Sequence, residues 1–276
     1  MSHSANHIAS TAITPESIAA SLASSSALPD IAVATYALGL GDDALVLAQR
    51  LGEWIAHAPE LEEDVALGNI GLDQLGHARS FLTYAGSVLG KSEDELAYFR
   101  DEPEFLNRQL FEQPNGDFAQ TIAKQLIASV YFAALYRQLA ASADAMLAAI
   151  AAKALKEVDY HLDHCVQWVR RLGLGTEESN HRMQRGLDAM WAFADELFRS
   201  DLLTDSLVVR GIAVSPPSLR PAFDTLVPPL ILASGLTVPM TTAARGGGRG
   251  GLHSESLGPL LAEMQVLARA HPGASW

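Results

Sequence analysis

The stretch KEVDYHLDH, residues 156–164, sets two histidines three positions apart among three carboxylates. An earlier stretch, LDQLGHAR at 72–79, places His77 four positions after Asp73. On a helix, residues three or four apart share a face, so each stretch can present an imidazole and a carboxylate together. Bundles that hold two irons are built from such pieces: a Glu from each of two helices and a Glu-x-x-His pair from each of two others. Iron there needs anionic oxygen and imidazole ligands to hold its charge, with positions left open for dioxygen.

The set is incomplete in this chain. A first helix offers Glu53. A second offers His77, but Gln74 stands three positions before it, and Asp73 makes only a distorted pair. A fourth offers His161, with Val158 three before it, Glu157 four before it and His164 three after it. The third helix fails: between Phe118 and Ala143 there is no Asp or Glu, and Lys124 sits there instead. A missing acid and a nearby cation both oppose iron. The expectation is therefore no metal site, with Glu157, His161, Asp73 and His77 forming a buried polar network together with Glu53 and Lys124. Buried polar groups need partners, and such a network fills the space a metal would take. Other readings stand beside it: half of these groups on a solvated face, or a lone metal at Glu157, His161 and His164. The enzymatic alternative is a non-standard iron site of Glu53, Asp73, His77, Glu157 and His161, which requires an acid from outside the third helix.

Helical periodicity dominates the elements that must position these groups. A helix from Asp42 carries Leu45, Leu47, Leu51, Trp54 and Ile55, and Pro59 breaks it. A second is expected from about Glu60 to Leu89, with Leu61, Val65, Leu72, Leu75 and Leu82 toward the core. Gly68, Gly71 and Gly76 weaken its helix preference and permit close helix contact. Others follow at 117–140 and 144–172, and a further one capped by Thr176 carries Met183, Leu187, Met190, Ala194 and Leu197. Six prolines between 211 and 240 leave a helix at about 218–227 and then irregular chain. A closing helix at about 255–270 carries Leu257, Leu260, Leu261, Met264 and Leu267. No stretch alternates as a strand does. The fold class is all-α, a helical bundle over residues 31–276 as a single domain, with 211–276 as its C-terminal extension.

The chain has 276 residues, 49% of them hydrophobic, and a formal charge of −13. Such a charge repels nucleic acid. The single cysteine, Cys165, excludes an internal disulfide and suits a reducing cytosol, so a cytoplasmic location is expected and Cys165 reads as a small buried hydrophobe. Residues 1–30 lack the basic start and continuous apolar core of a signal peptide and read as disordered or loosely attached. The apolar run at 226–239 is too short and too proline-broken to span a bilayer. RGGGRGG at 245–251 lacks the Gly-Lys-Ser/Thr ending of a phosphate-binding loop and reads as a mobile loop, with Arg245 and Arg249 as candidate contacts for a phosphate-bearing ligand or an acidic partner. Arg79 reads as a partner contact or a surface ion pair. Ser256 and His253 lack a supporting triad order.

Long strings carry a resemblance. LGDDALVLAQRLGEWIAHAPELEEDVALGNIGLDQLGHARSFLTYAG (40–86), RDEPEFLNRQLFEQPNGDFAQTIAKQ (100–125), KEVDYHLDH and GLHSESLGPLLAEMQVLARAHPGASW (251–276) resemble the C subunits of bacterial ring-1,2-phenylacetyl-CoA epoxidases. The likeness covers nearly everything after residue 35. These epoxidases are multicomponent monooxygenases of aerobic phenylacetate degradation. The resemblance implies a ferritin-like bundle that has lost its metal ligands and acts as a structural, non-catalytic partner of a paralogous A subunit. That A subunit holds the di-iron centre and binds phenylacetyl-CoA. A small B subunit and a reductase with flavin and an iron–sulfur cluster complete the complex, which uses NADPH and dioxygen. No cofactor is expected in this chain. Glu53, Asp73, His77, Lys124, Glu157 and His161 are then vestiges of a metal site. Arg245 and Arg249 become candidates for placing the CoA tail or for guiding the B subunit or reductase. The likeness also implies self-association when the A subunit is absent. Trp54, Phe81, Tyr84, Tyr131 and Phe132 are available for core or interface. The chain departs in its longer N-terminal stretch, and His77 occupies a position where the resemblance tolerates glutamine.

Overall fold

The computed structural model describes residues 13–23 and 29–274. Eleven α-helices run through the described residues: α1 (Pro15–Ala23), α2 (Ile31–Gly52), α3 (Leu61–Leu89), α4 (Glu93–Tyr98), α5 (Gln109–Glu112), α6 (Phe118–Leu139), α7 (Ala145–Gly173), α8 (Glu177–Ala194), α9 (Leu202–Val209), α10 (Arg220–Ala233) and α11 (Leu257–Ala270). Their starts are written locally. Asp30, Asp117, Asp144 and Thr176 accept hydrogen bonds from first-turn N–H groups of α2, α6, α7 and α8. Each such cap contributes about 1 kcal/mol. Gly90, at φ 65°, ends α3 in the left-handed conformation that glycine adopts without strain.

Four long helices form the frame. α2 and α3 run antiparallel: Gly41 lies against Leu82 and Gly71 against Leu51. α6 and α7 do the same, with Phe118 edge-on to Trp168 and Ser129 beside Cys165. α8 closes on α6 where Gly186 meets the backbone of Gln120, too near for a side chain. Helices apolar on all sides must be enclosed. α2 and α6 are long and apolar enough to cross a membrane, yet 78% and 89% of their most apolar windows are buried inside the bundle. A stack of Phe111, Phe132, Tyr136 and Phe81, with successive ring centroids 5.2, 5.4 and 6.1 Å apart, fills the centre. Tyr84 and Tyr131 are buried beside it, while Trp54 is half-buried against Phe118 and donates its indole N–H to Thr121. Cys165 is fully buried and its thiol is pushed up to about 12 by burial, so it is a packing residue.

Several expectations are corrected. α2 begins at Ile31 rather than Asp42, because Asp30 caps it and Asp42 and Asp43 are neutralised inside the bundle. Part of the segment read as disordered or loosely attached is helix α1, which buries Ile18 and Leu22; residues 1–12 and 24–28 lie outside the described residues. In α3 the expected core residues Leu61, Val65, Leu72 and Leu75 are 76, 56, 66 and 37% exposed. The helix carries two apolar stripes, and the one facing the bundle is Leu67, Ile70, Ala78 and Phe81. Leu82 is buried as expected, whereas Leu267 on α11 is exposed. Pro228 and Pro229 sit inside α10 instead of ending it. The carbonyls they leave without an N–H partner, on Asp224 and Thr225, belong to exposed residues that water can serve.

RGGGRGG is pinned, not mobile. The N–H groups of Gly247 and Gly248 donate to the buried carboxylate of Glu196 at 2.8 and 2.9 Å. A Cβ on Gly248 would lie 2.0 Å from the Asn107 carbonyl oxygen, so only glycine fits there.

Candidate functional site

α3 and α7 cross antiparallel, and a ladder of side-chain pairs joins them. His164 Nε2 meets Glu63 at 2.8 Å, His161 Nε2 meets Asp73 at 2.9 Å and His77 Nε2 meets Glu157 at 2.7 Å. Tyr84 closes the far end by donating to Asp144 at 2.5 Å. The spacing seen in the sequence is what builds this: Asp73 and His77 lie one turn apart on α3, and Glu157 and His161 one turn apart on α7, so acid and imidazole pair reciprocally across the crossing. His77 and His161 are buried with Glu157 and Asp73 about one-third exposed, whereas His164 and Glu63 are both mostly covered.

Partners assign the protons. His161 Nδ1 faces the amide nitrogen of Gln74 at 3.4 Å, a donor, so Nδ1 accepts and Nε2 donates to Asp73. A neutral imidazole fits this arrangement. Burial lowers the pKa of His161, and the hydrogen bond to Asp73 only partly offsets it. Glu157 goes the other way: burial alone would raise it, but the hydrogen bond and charge of His77 hold it below the usual carboxylate range. His77 sets its ring edge-on to Tyr136, 5.7 Å between centroids.

Glu53 and Lys124, expected in the same network, belong to another. Lys124 is fully buried, and its Nζ donates to Gln113 O at 2.8 Å and Asn115 Oδ1 at 2.9 Å. Asn115 in turn donates to Glu53 at 2.9 Å, and Glu53 is paired with Arg50 at 2.7 Å. Burial, helped by the Arg50 charge, pushes Lys124 down to about 7.

These residues do not fit an iron pair. Each imidazole of the ladder spends Nε2 on its own carboxylate, Glu53 faces Arg50 and Asn115, and α6 contributes a lysine rather than an acid. Among the described residues no group of three or more His, Cys, Asp or Glu converges as a metal site. The lone site at Glu157, His161 and His164 is not assembled either: the three residues take three different partners.

Arg249 is corrected as a candidate ligand or partner contact. Its guanidinium is paired with the fully buried Asp43 and donates to the carbonyl oxygens of Gly39 and Leu106. Arg245 is exposed, and its carbonyl oxygen accepts from Arg199 at 2.6 Å. Arg79 forms an ion pair with Glu93 at 2.8 Å and lies 3.7 Å from Glu16 of α1.

Sequence reasoning missed a second buried network. Asp42 pairs with Arg100 and Asp43 with Arg249. Glu112, fully buried, accepts from Asn107 at 2.8 Å, His253 Nδ1 at 2.8 Å and Ser254 N at 2.5 Å. These groups fasten the 100–113 segment and the 245–256 loop onto α2. The signal was two adjacent acids inside the apolar run LGLGDDALVLA; nothing local pointed to Glu112 or His253.

The model of the phenylacetic acid catabolic protein family matches residues 23–276. The C subunit of the 1,2-phenylacetyl-CoA epoxidase of Escherichia coli (strain K12) is 52% identical over 242 residues, covering 87% of this chain and 98% of that protein.

Proposed function

Because the chain belongs to the phenylacetic acid catabolic protein family, we propose that it is the structural subunit of a phenylacetyl-CoA epoxidase, supporting a catalytic subunit instead of carrying the chemistry. The observation that carries this reading is the α3–α7 ladder. Where an iron-bearing bundle needs free imidazoles and converging acids, this one has closed each imidazole on a carboxylate. What remains is a helical body, fastened at α2 by the buried Asp42–Arg100 and Asp43–Arg249 pairs, whose worth to the reaction lies in the surface it offers.

In this reading the di-iron centre and the CoA thioester belong to a paralogous A subunit. A small B subunit and a reductase with flavin and an iron–sulfur cluster complete the complex, and NADPH supplies the electrons. Arg245, exposed beside the pinned glycine loop, is the remaining candidate for a contact with those components or the CoA tail. We place the complex in the cytoplasm; the single buried cysteine and the enclosed apolar helices support that location.

Replacing Glu157 and His161 together with alanine tests the reading. Leaving a buried imidazole without its hydrogen-bond partner costs about 1–3 kcal/mol, so melting temperature and complex yield should fall, while the turnover of whatever complex assembles should stay near wild type. A variant that folds and assembles normally but has lost turnover would sink the structural reading.

A further inference from the structure

The outward stripe of α3 is left without a partner among the described residues. Leu61, Val65, Gly68, Leu72 and Leu75 follow one another at spacings of four, three, four and three, the seam of a helix built to pack on another helix. The four large residues are 37 to 76% exposed. The seam borders a groove of about 220 Å³ lined by Ile55, Gly68, Leu72, Leu75, Tyr98 and Met264. Positions on the opposite side of the helix, Ile70 and His77, are buried in the bundle, so α3 is sandwiched with one face still open.

Two further features say what covers it. First, a Cβ added at Gly68 or Gly76 would meet nothing within 4 Å, unlike Gly71, which packs on Leu51. Glycine inside a helix costs about 1 kcal/mol relative to alanine, and at Gly68 no contact among the described residues offsets that cost. A bare backbone on an apolar seam suits the close crossing of a second helix. Second, the rim is acidic. Glu60, Glu62 and Asp64 flank its N-terminal end, and α3 contains no Lys or Arg except Arg79, which already faces Glu93 and Glu16. A second copy of the chain would set these acids against a seam that carries no free cation, which leaves them unpaired and disfavours that pairing.

We propose that this seam is where the catalytic subunit docks, through a helix with an apolar stripe crossing at Gly68 and basic residues at its edges. The proposal rests on the structural-subunit reading above and adds its address. Leu72→Glu should weaken binding to the cognate catalytic subunit by about 100-fold or more, since a central apolar anchor becomes a buried charge, and should leave the isolated chain's melting temperature unchanged. Gly68→Ala should raise that melting temperature by about 2 °C and yet weaken binding about tenfold, an opposition that a purely internal role for the glycine does not produce. Leu202→Glu, on an exposed site of α9, should bind as wild type. Titration by light scattering and calorimetry reads all three. Wild-type affinity in Leu72→Glu overturns the seam and leaves the structural-subunit reading standing. Failure of the wild-type chain to bind the catalytic subunit at all overturns that reading. A homodimer dissolved by Leu72→Glu while the mixed complex persists overturns the choice of occupant.

Discussion

His253 and His161 show how one residue type takes opposite charge states within a single chain. His253 is buried between two acceptors, Glu112 Oε2 at 2.8 Å and Phe105 O at 2.9 Å, so both ring nitrogens carry protons. Burial would lower its pKa, but the Glu112 and Phe105 hydrogen bonds outweigh burial and raise it. The folded chain therefore holds this proton more tightly than the unfolded chain. The contribution is complete below the unfolded histidine value of about 6.5 and is lost as pH rises through the higher folded value. His253→Gln should cost about 3 kcal/mol near pH 6, with the gap to wild type narrowing toward about pH 9. Urea denaturation at both pH values checks this; a gap that widens with pH would mean a neutral imidazole. His161, between a donor and an acceptor, is the neutral counterpart.

At the scale of elements, the glycine loop at 245–251 is a fastener. Glu196 holds its backbone from one side, the Asn107 carbonyl leaves no room on the other, and Arg249 inserts from the loop toward Asp43 on α2. Gly248→Ala should cost about 2 kcal/mol by overpacking and should open new cleavage within the loop under limited proteolysis. Wild-type stability and protection in that variant would show that the loop shifts freely. The same loop read as mobile in sequence because glycine content reports only what the backbone is free to do, and Glu196 and Asp43 lie far away along the chain.

For the whole molecule, the decisive quantity is metal content. With each ladder imidazole committed to its own acid and Lys124 buried in α6, chain produced with ample iron and without a metal-affinity tag should retain below about 0.1 iron per chain. Elemental analysis of the purified chain reads this directly. A value near two would return catalysis to this chain and require an acid from outside α6.

Much was legible before folding. The starts of α6, α7 and α8 lie close to where the sequence put them, because Asp117, Asp144 and Thr176 act through hydrogen bonds to their own next turn. The lack of an acid between Phe118 and Ala143, with Lys124 among those residues, decided against a metal set without any geometry. The pairing of Asp73, His77, Glu157 and His161 was also expected, because one-turn spacing constrains a helix face wherever the helix goes. Tertiary structure alone decided the rest. It chose which of the two apolar stripes of α3 faces the bundle, since periodicity fits both equally and only the placement of α2 and α7 breaks the tie. It moved Glu53 and Lys124 into a network around Asn115, and it turned Arg249 inward to Asp43. Hydrophobic periodicity and caps are properties of a few consecutive residues; a partner more than 200 positions away, as Asp43 is from Arg249, is set only when the chain has packed.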